Sequence, residues 1–253
     1  MWSDLDYRPG VTCEPSALDL VSLSVARNGR PVLAGVSICA NQGEILAVVG
    51  PNGAGKTTLL EAIVGLLPST TKGLAVHGVE IRSFAQRAQA FAYMPDEARL
   101  PDEVSVRGLL AAMPNGERAA PHVRRLGVSA LLERRGDQLS RGESKRVSLA
   151  LTMAQGRPII VLDEPFGAFD PLQLDDVLEV VRDCARAGTT IIVTVHQMST
   201  AERIADRIVL LAEGRSVATG TLEELRALAG VTDAPFEDIF RRLLSQRSKH
   251  VPA

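Results

Sequence analysis

The apolar run Ile45-Leu46-Ala47-Val48-Val49 leads into Gly50-Pro51-Asn52-Gly53-Ala54-Gly55-Lys56-Thr57, and Leu59, Leu60, Ile63, Val64 and Leu67 follow at helical spacing. No other stretch limits the fold so tightly. A continuous apolar strand is one buried on both faces. The pattern G-x-x-x-x-G-K-[ST] between such a strand and a helix predicts a loop that wraps phosphate. Glycines let successive backbone N–H groups turn inward around phosphate oxygens, and the helix N-terminus adds the positive end of its dipole. In this pattern Lys56 bridges terminal phosphates and Thr57 ligates Mg²⁺. For the segment alone, the alternative is a glycine turn capping a core helix, with Lys56 solvated.

Two further runs, Ile159–Leu162 and Thr190–Val195, resemble the first, and each precedes a helix-compatible stretch. Strand–helix alternation of this kind predicts an α/β core with a mainly parallel sheet covered on both faces. Ahead of it, Leu18–Val25 alternates as a half-buried strand does, Asn28–Pro31 is a turn, and Val32–Ile38 is a second strand. Together they predict a small antiparallel β subdomain. From about residue 96 to 157 the β signal gives way to helical spacing, which predicts a helical lobe inserted in the core. Residues 1–17, with Pro9, Gly10 and Pro15, read as a leader. The domain proper is expected over 18–220 and a helical tail over 221–253, with an amphipathic segment at Phe236–Leu244.

Asp163 and Glu164 end the second apolar run, and the carboxyl ends of parallel strands face the ligand crevice. There Asp163 would hold Mg²⁺, directly or through water, and Glu164 would orient and partly deprotonate a water attacking a γ-phosphate. His196 ends the third run and would donate a hydrogen bond to the same phosphate. Each has a structural alternative, a solvated turn or a strand-end histidine. Lys and Arg number 28 against 30 Asp and Glu, so the net charge of −2 argues against a nucleic-acid partner. The longest stretch free of these residues, Ala187–Ala201, is shorter than the ~20 apolar residues of a membrane span. The acidic start, Met1–Asp6, does not resemble a secretory signal. These features, with Cys13, Cys39 and Cys184 expected as reduced thiols, suit a cytoplasmic protein.

Taken in order, five motifs resemble the ATP-binding subunits of ABC transporters, from about Leu18 to Gly220. They are the phosphate loop Gly50–Thr58, the signature-like Leu139-Ser140-Arg141-Gly142-Glu143, the pair Asp163-Glu164, the following loop Gly167-Ala168-Phe169-Asp170, and the switch histidine His196. The resemblance implies a P-loop NTPase core with ATP and Mg²⁺ as cofactors, Thr58 among the nucleotide-binding residues, and a head-to-tail dimer. Each ATP would lie between one subunit's phosphate loop and the partner's Ser140, Arg141, Gly142 and Glu143. Asp170 would link the two sites. The dimer would be of identical chains or of this chain with a related ATPase subunit. It would sit on the inner face of the membrane against a separate transmembrane permease.

Three positions depart from the family pattern. Arg27 and Asn28 stand where an aromatic residue usually stacks on adenine, which predicts weaker base selectivity. Asp96 stands where glutamine is usual, in Tyr93-Met94-Pro95-Asp96-Glu97, and could still ligate Mg²⁺. Arg141 replaces a glycine; it either carries a conformational cost, if its φ is positive, or places a cation near the partner's phosphate. The helical lobe is shorter than is common, and the tail is similar to the ends of subunits serving drug- and antibiotic-type exporters. The reading is therefore an ATPase energising a permease, with export as the favoured direction. The rivals are an ABC-type ATPase acting on ribosomes or DNA, and a weakly hydrolysing regulatory module.

Overall fold

The structure, a computed structural model, describes residues 16–116, 120–231 and 234–248. The leader expected over 1–17 lies almost wholly outside them. The chain opens with an antiparallel hairpin of β1 (Ser16–Arg27) and β2 (Arg30–Asn41). Its turn places Asn28 and Gly29 at φ 51° and 74°, the positive values a two-residue hairpin turn requires. β3 (Ile45–Val49) and α1 (Lys56–Val64) follow, then β4 (Gly73–Val76), β5 (Val79–Glu80), α2 (Phe84–Ala90) and β6 (Phe91–Met94). The first sheet has the order β2-β1-β4-β5. Two of its strands, at Gly73 and Val79, carry no sequence signal beyond a few alternating residues.

The middle of the chain is helical: α3 (Val106–Ala111), α4 (Ala120–Arg125), two short 3-10 turns and α5 (Arg141–Ala154). Val106, Leu110, Val123, Leu126, Val128 and Leu131 are buried with Val147 and Met153 of α5 in one cluster. The chain then returns to the sheet through β7 (Ile159–Leu162), α6 (Pro171–Arg186), β8 (Thr190–Val195), α7 (Met198–Ile204), β9 (Arg207–Ala212) and β10 (Arg215–Gly220). The six-stranded sheet has the order β10-β9-β3-β8-β7-β6. All its neighbours pair parallel except β10 with β9.

This sheet is covered on both faces, and the pleat divides its side chains between two cores. Ile45, Ala47 and Val49 of β3 face the cluster shared with the helical lobe, α6 and the C-terminal helices. Leu46 and Val48 face the cluster shared with α1 and the antiparallel sheet. Ile160 and Leu162 of β7 divide from Ile159 and Val161 in the same way. Each Ile, Leu or Val side chain among them, fully removed from water, contributes about 1.5–3 kcal/mol, which is why these strands carry no polar alternation.

The tail comprises α8 (Leu222–Ala229) and α9 (Phe236–Ser248). Phe236, Ile239, Phe240 and Leu243 are buried in the main core, so the amphipathic pattern there is a packing pattern. Among the described residues no helix is long and apolar enough to cross a membrane. Cys184 is a free, buried thiol that burial pushes up in pKa. The expectation of reduced thiols is corrected at Cys39, which is disulfide-bonded; separation along the chain sets no limit on how close two sulfurs come in the fold. Cys13 lies outside the described residues.

Candidate active site

Strand register gathers the sequence motifs. Val49 pairs with Val195, Leu162 with Val193 and Met94 with Leu162, all parallel. Gly50, Asp163 and His196, each one residue past a strand end, and Asp96, two past, therefore emerge along one edge of the sheet.

The phosphate loop is held rigidly. A Cβ on Gly50 would stand 2.1 Å from the Leu211 carbonyl oxygen, so only glycine lets the loop cross β9. Gly55, at φ 100°, starts α1 in a left-handed conformation. The Gly214 N–H donates to the Ala54 carbonyl at 3.1 Å and ties the loop to the β9–β10 turn. Lys56 is buried, and its Nζ donates to the carbonyls of Gly50 (2.9 Å) and Pro51 (3.3 Å). Thr57 is exposed and Thr58 buried. A cleft of about 360 Å³ opens over the loop, lined by Arg27, Val32, Asn52, Gly53, Gly55, Lys56, Thr57, Thr58 and Glu164. Arg27 is held at its mouth by an ion pair with Glu61 at 3.2 Å.

Asp163 is 1% exposed. Its Oδ1 accepts from the Thr194 hydroxyl at 2.5 Å, and its Oδ2 is buried with no hydrogen-bond partner. Glu164 has φ 45°, a left-handed conformation that side chains larger than glycine rarely adopt. Both ends of that residue's backbone are tied. Its N–H donates to Thr194 Oγ1 at 2.8 Å, and its carbonyl accepts from Lys145 Nζ at 2.9 Å. Lys145 Nζ also donates to Asp96 Oδ1 at 2.8 Å. So one oxygen of the carboxylate expected to ligate a cation is already paired with an ammonium. The Tyr93 hydroxyl is pushed up in pKa, first by burial and then by the negative charge of Asp163, Glu61 and Asp96. His196 is exposed just past β8.

Thr194 and Lys145 were not among the residues singled out from the sequence. Thr194 had a readable signal: a hydroxyl in an otherwise apolar buried strand needs a partner. Lys145 had none, since a lysine on a helix is ordinarily solvated.

The signature-like segment caps α5. Ser140 Oγ accepts from the Glu143 N–H (3.3 Å), and Glu143 Oε2 accepts from the Ser140 N–H (2.9 Å), a reciprocal capping box. That backbone bond, ahead of the Arg134 and Arg146 charges, holds the Glu143 carboxyl below the usual range. Arg141 is the first helical residue, exposed and without positive φ, which removes the conformational-cost alternative. Gly142 approaches the Ala168 carbonyl, 3.2 Å from where a Cβ would stand. Asp170 is the N-cap of α6, accepting from the Gln173 N–H at 2.9 Å ahead of Pro171. Ser140 and Asp170 do not line the phosphate-loop cleft.

Residues 33–167 match the family model described as ABC transporter. A hemin import ATP-binding protein, HmuV, of Streptomyces coelicolor is 37% identical, over 85% of this chain and 82% of that protein. The lipopolysaccharide export system ATP-binding protein LptB of Escherichia coli is 30% identical, over 83% of this chain and 92% of that protein. A solved ATP-binding subunit of an ABC transporter superimposes with a TM-score of 0.81 at 28% identity, over 90% of this chain and 99% of that one. With its phosphate loop, carboxylate pair and capped signature helix on this fold, the chain belongs to the ABC transporter family, as an ATP-binding subunit whose ATPase activity is coupled to transport.

Proposed function

We propose that the cleft over Gly50–Thr58 is where ATP is bound and cut, and that Glu164 handles the attacking water. The observation that carries this is the anchored, left-handed Glu164 at the rim of the phosphate-loop cleft. Lys56 would leave the loop carbonyls for the β- and γ-phosphates, which replace those two bonds with stronger charge-assisted ones. His196 would donate to the γ-phosphate from the end of β8. The loop's backbone N–H groups would hold the remaining phosphate oxygens.

The buried, unpartnered Asp163 Oδ2 suits a divalent cation, with the Thr57 hydroxyl on the facing helix. Among the described residues no three His, Cys, Asp or Glu side chains gather as a metal cluster. Thr57 and Asp163 would therefore hold Mg²⁺ together with nucleotide phosphates, as hard, oxygen-only coordination allows. When bound, the ion neutralises charge on the β- and γ-oxygens.

Ser140 lies at the start of a 14-residue helix and is exposed. Its oxygen accepts within the capping box, so its O–H remains able to donate outward. We infer that a second copy, or a related ATPase subunit, receives this helix end against its own nucleotide, with Arg141 adding a cation and Asp170 reaching the seam. The pair would drive a separate transmembrane permease from the cytoplasmic face. Direction belongs to that permease: the relatives include one named for hemin import and one for lipopolysaccharide export. Because α9 is explained by packing, it lends export no special support. The test is steady-state ATP hydrolysis by the wild type, Lys56→Ala and Glu164→Gln. Turnover lost in both variants, with nucleotide binding lost only in Lys56→Ala, supports the assignment; wild-type turnover in Glu164→Gln overturns it.

A further inference from the structure

A lysine buried at a point where three segments meet invites the question of what holds it there. Lys145 is 9% exposed, on the second turn of α5. Its ammonium has two bonds, one to the Asp96 carboxylate from the turn after β6 and one to the Glu164 carbonyl from the turn after β7. An ammonium taken out of water needs a counter-charge, and Asp96 supplies it. The residue that makes Asp96 a departure from the family pattern is thus matched by a lysine 49 positions away.

The Glu164 end of the bridge matters more. A glutamate at φ 45° is held against its own preference, which costs of order 1–3 kcal/mol and persists only where neighbours over-determine it. Two contacts do so here, Thr194 on the N–H and Lys145 on the carbonyl. Remove either, and the residue can relax to negative φ, swinging its side chain away from the cleft.

We propose that Lys145 is a positioning residue for Glu164, and that Asp96 serves as the counter-ion that keeps Lys145 in place. The proposal rests on Glu164 being the group that handles the attacking water. Lys145 does not line the phosphate-loop cleft. It acts through the backbone of Glu164, so its loss lowers turnover without weakening ATP binding.

The experiment compares Asp96→Asn, Lys145→Gln and the double variant Asp96→Asn/Lys145→Gln in the full chain, with Glu164→Gln beside them. In each single variant kcat is expected to fall roughly tenfold or more while KM for ATP changes about twofold or less. The double variant, whose two amides can bond each other without a stranded charge, is expected to regain most of the loss, the non-additivity that marks contacting partners. Thermal melts separate this from unfolding. Asp96 is half-exposed, so Asp96→Asn keeps the test open even if Lys145→Gln fails to fold. If Glu164→Gln loses turnover while Asp96→Asn and any folded Lys145→Gln keep it, the positioning proposal is overturned and the catalytic reading survives. A double variant no better than the sum of the singles also overturns it. Wild-type turnover in Glu164→Gln overturns both.

Discussion

Thr194→Val replaces a single oxygen near the carboxyl end of β8 and leaves the shape of the side chain nearly unchanged. That oxygen makes two bonds at once: it donates to Asp163 Oδ1 at 2.5 Å and accepts from the Glu164 N–H at 2.8 Å. Thr194 is fully buried, and Asp163 Oδ2 already lacks a protein partner, so valine leaves the carboxylate without any side-chain donor. A hydrogen bond to a charged group is worth ~1.5–3 kcal/mol and an ordinary one ~1. The variant should therefore lose about 3 kcal/mol of stability in urea. At ~2–4 °C per kcal/mol for a chain of this size, its melting midpoint falls by about 6–12 °C. The N–H anchor of the left-handed Glu164 goes too, and kcat should drop roughly tenfold or more. Thr194→Ser keeps both bonds, loses only a methyl group worth about 1 kcal/mol, and should keep wild-type turnover. The measurements are urea melts and a coupled ATPase assay on all three proteins. Thr194→Val within about 0.5 kcal/mol of the wild type and equally active would refute the assignment of that hydroxyl as the anchor of both acids.

Three further outcomes are expected. Gly50→Ala forces a Cβ against the Leu211 carbonyl and should cost about 3 kcal/mol or more in urea melts, whereas Gly53→Ala, with open space but φ 79°, should cost about 1 kcal/mol. Glu143 is held below its ordinary value of 4.5, so its stabilising contribution is complete above that pH and disappears as pH falls through the depressed value; the urea midpoint of the wild type should lose its advantage over Glu143→Gln on acidification, and a constant difference would contradict this. With Arg27 and, among the described residues, no aromatic ring lining the cleft, ATP and GTP should turn over at comparable rates, and a strong ATP preference in kcat/KM would count against Arg27 as the base platform.

The parts of the fold set by continuous burial were legible in the residues. β3 and β7 are apolar throughout, and β8 apart from Thr190 and Thr194, because both faces are covered, and the loop after β3 has glycine where the backbone crosses Leu211. β6 was harder. Phe91-Ala92-Tyr93-Met94 is only four residues long and takes its identity from pairing with β7, a tertiary contact that local pattern does not encode. β4 likewise takes its identity from pairing with β1, and β5 from pairing with β4. At the site, the residues with motif spacing could be named in advance. Lys145 could not, because its partners come from the turns after β6 and β7; Thr194 could be read only as a buried hydroxyl needing a partner, and parallel register decides that the partners are Asp163 and Glu164. The departures at Asp96 and Arg141 also needed the fold. Asp96 faces an ammonium, and Arg141 sits in ordinary helical backbone.

The central claim is that ATP joins two of these ATPase subunits across a shared seam until the terminal bond is cut. Light scattering of Glu164→Gln on a sizing column, with and without Mg-ATP, tests it directly. The account predicts a single-chain mass without nucleotide and a doubled mass with it, carrying two nucleotides per pair, and no shift when Ser140 is also replaced by arginine. A Glu164→Gln sample that binds ATP stoichiometrically yet keeps its single-chain mass would contradict it.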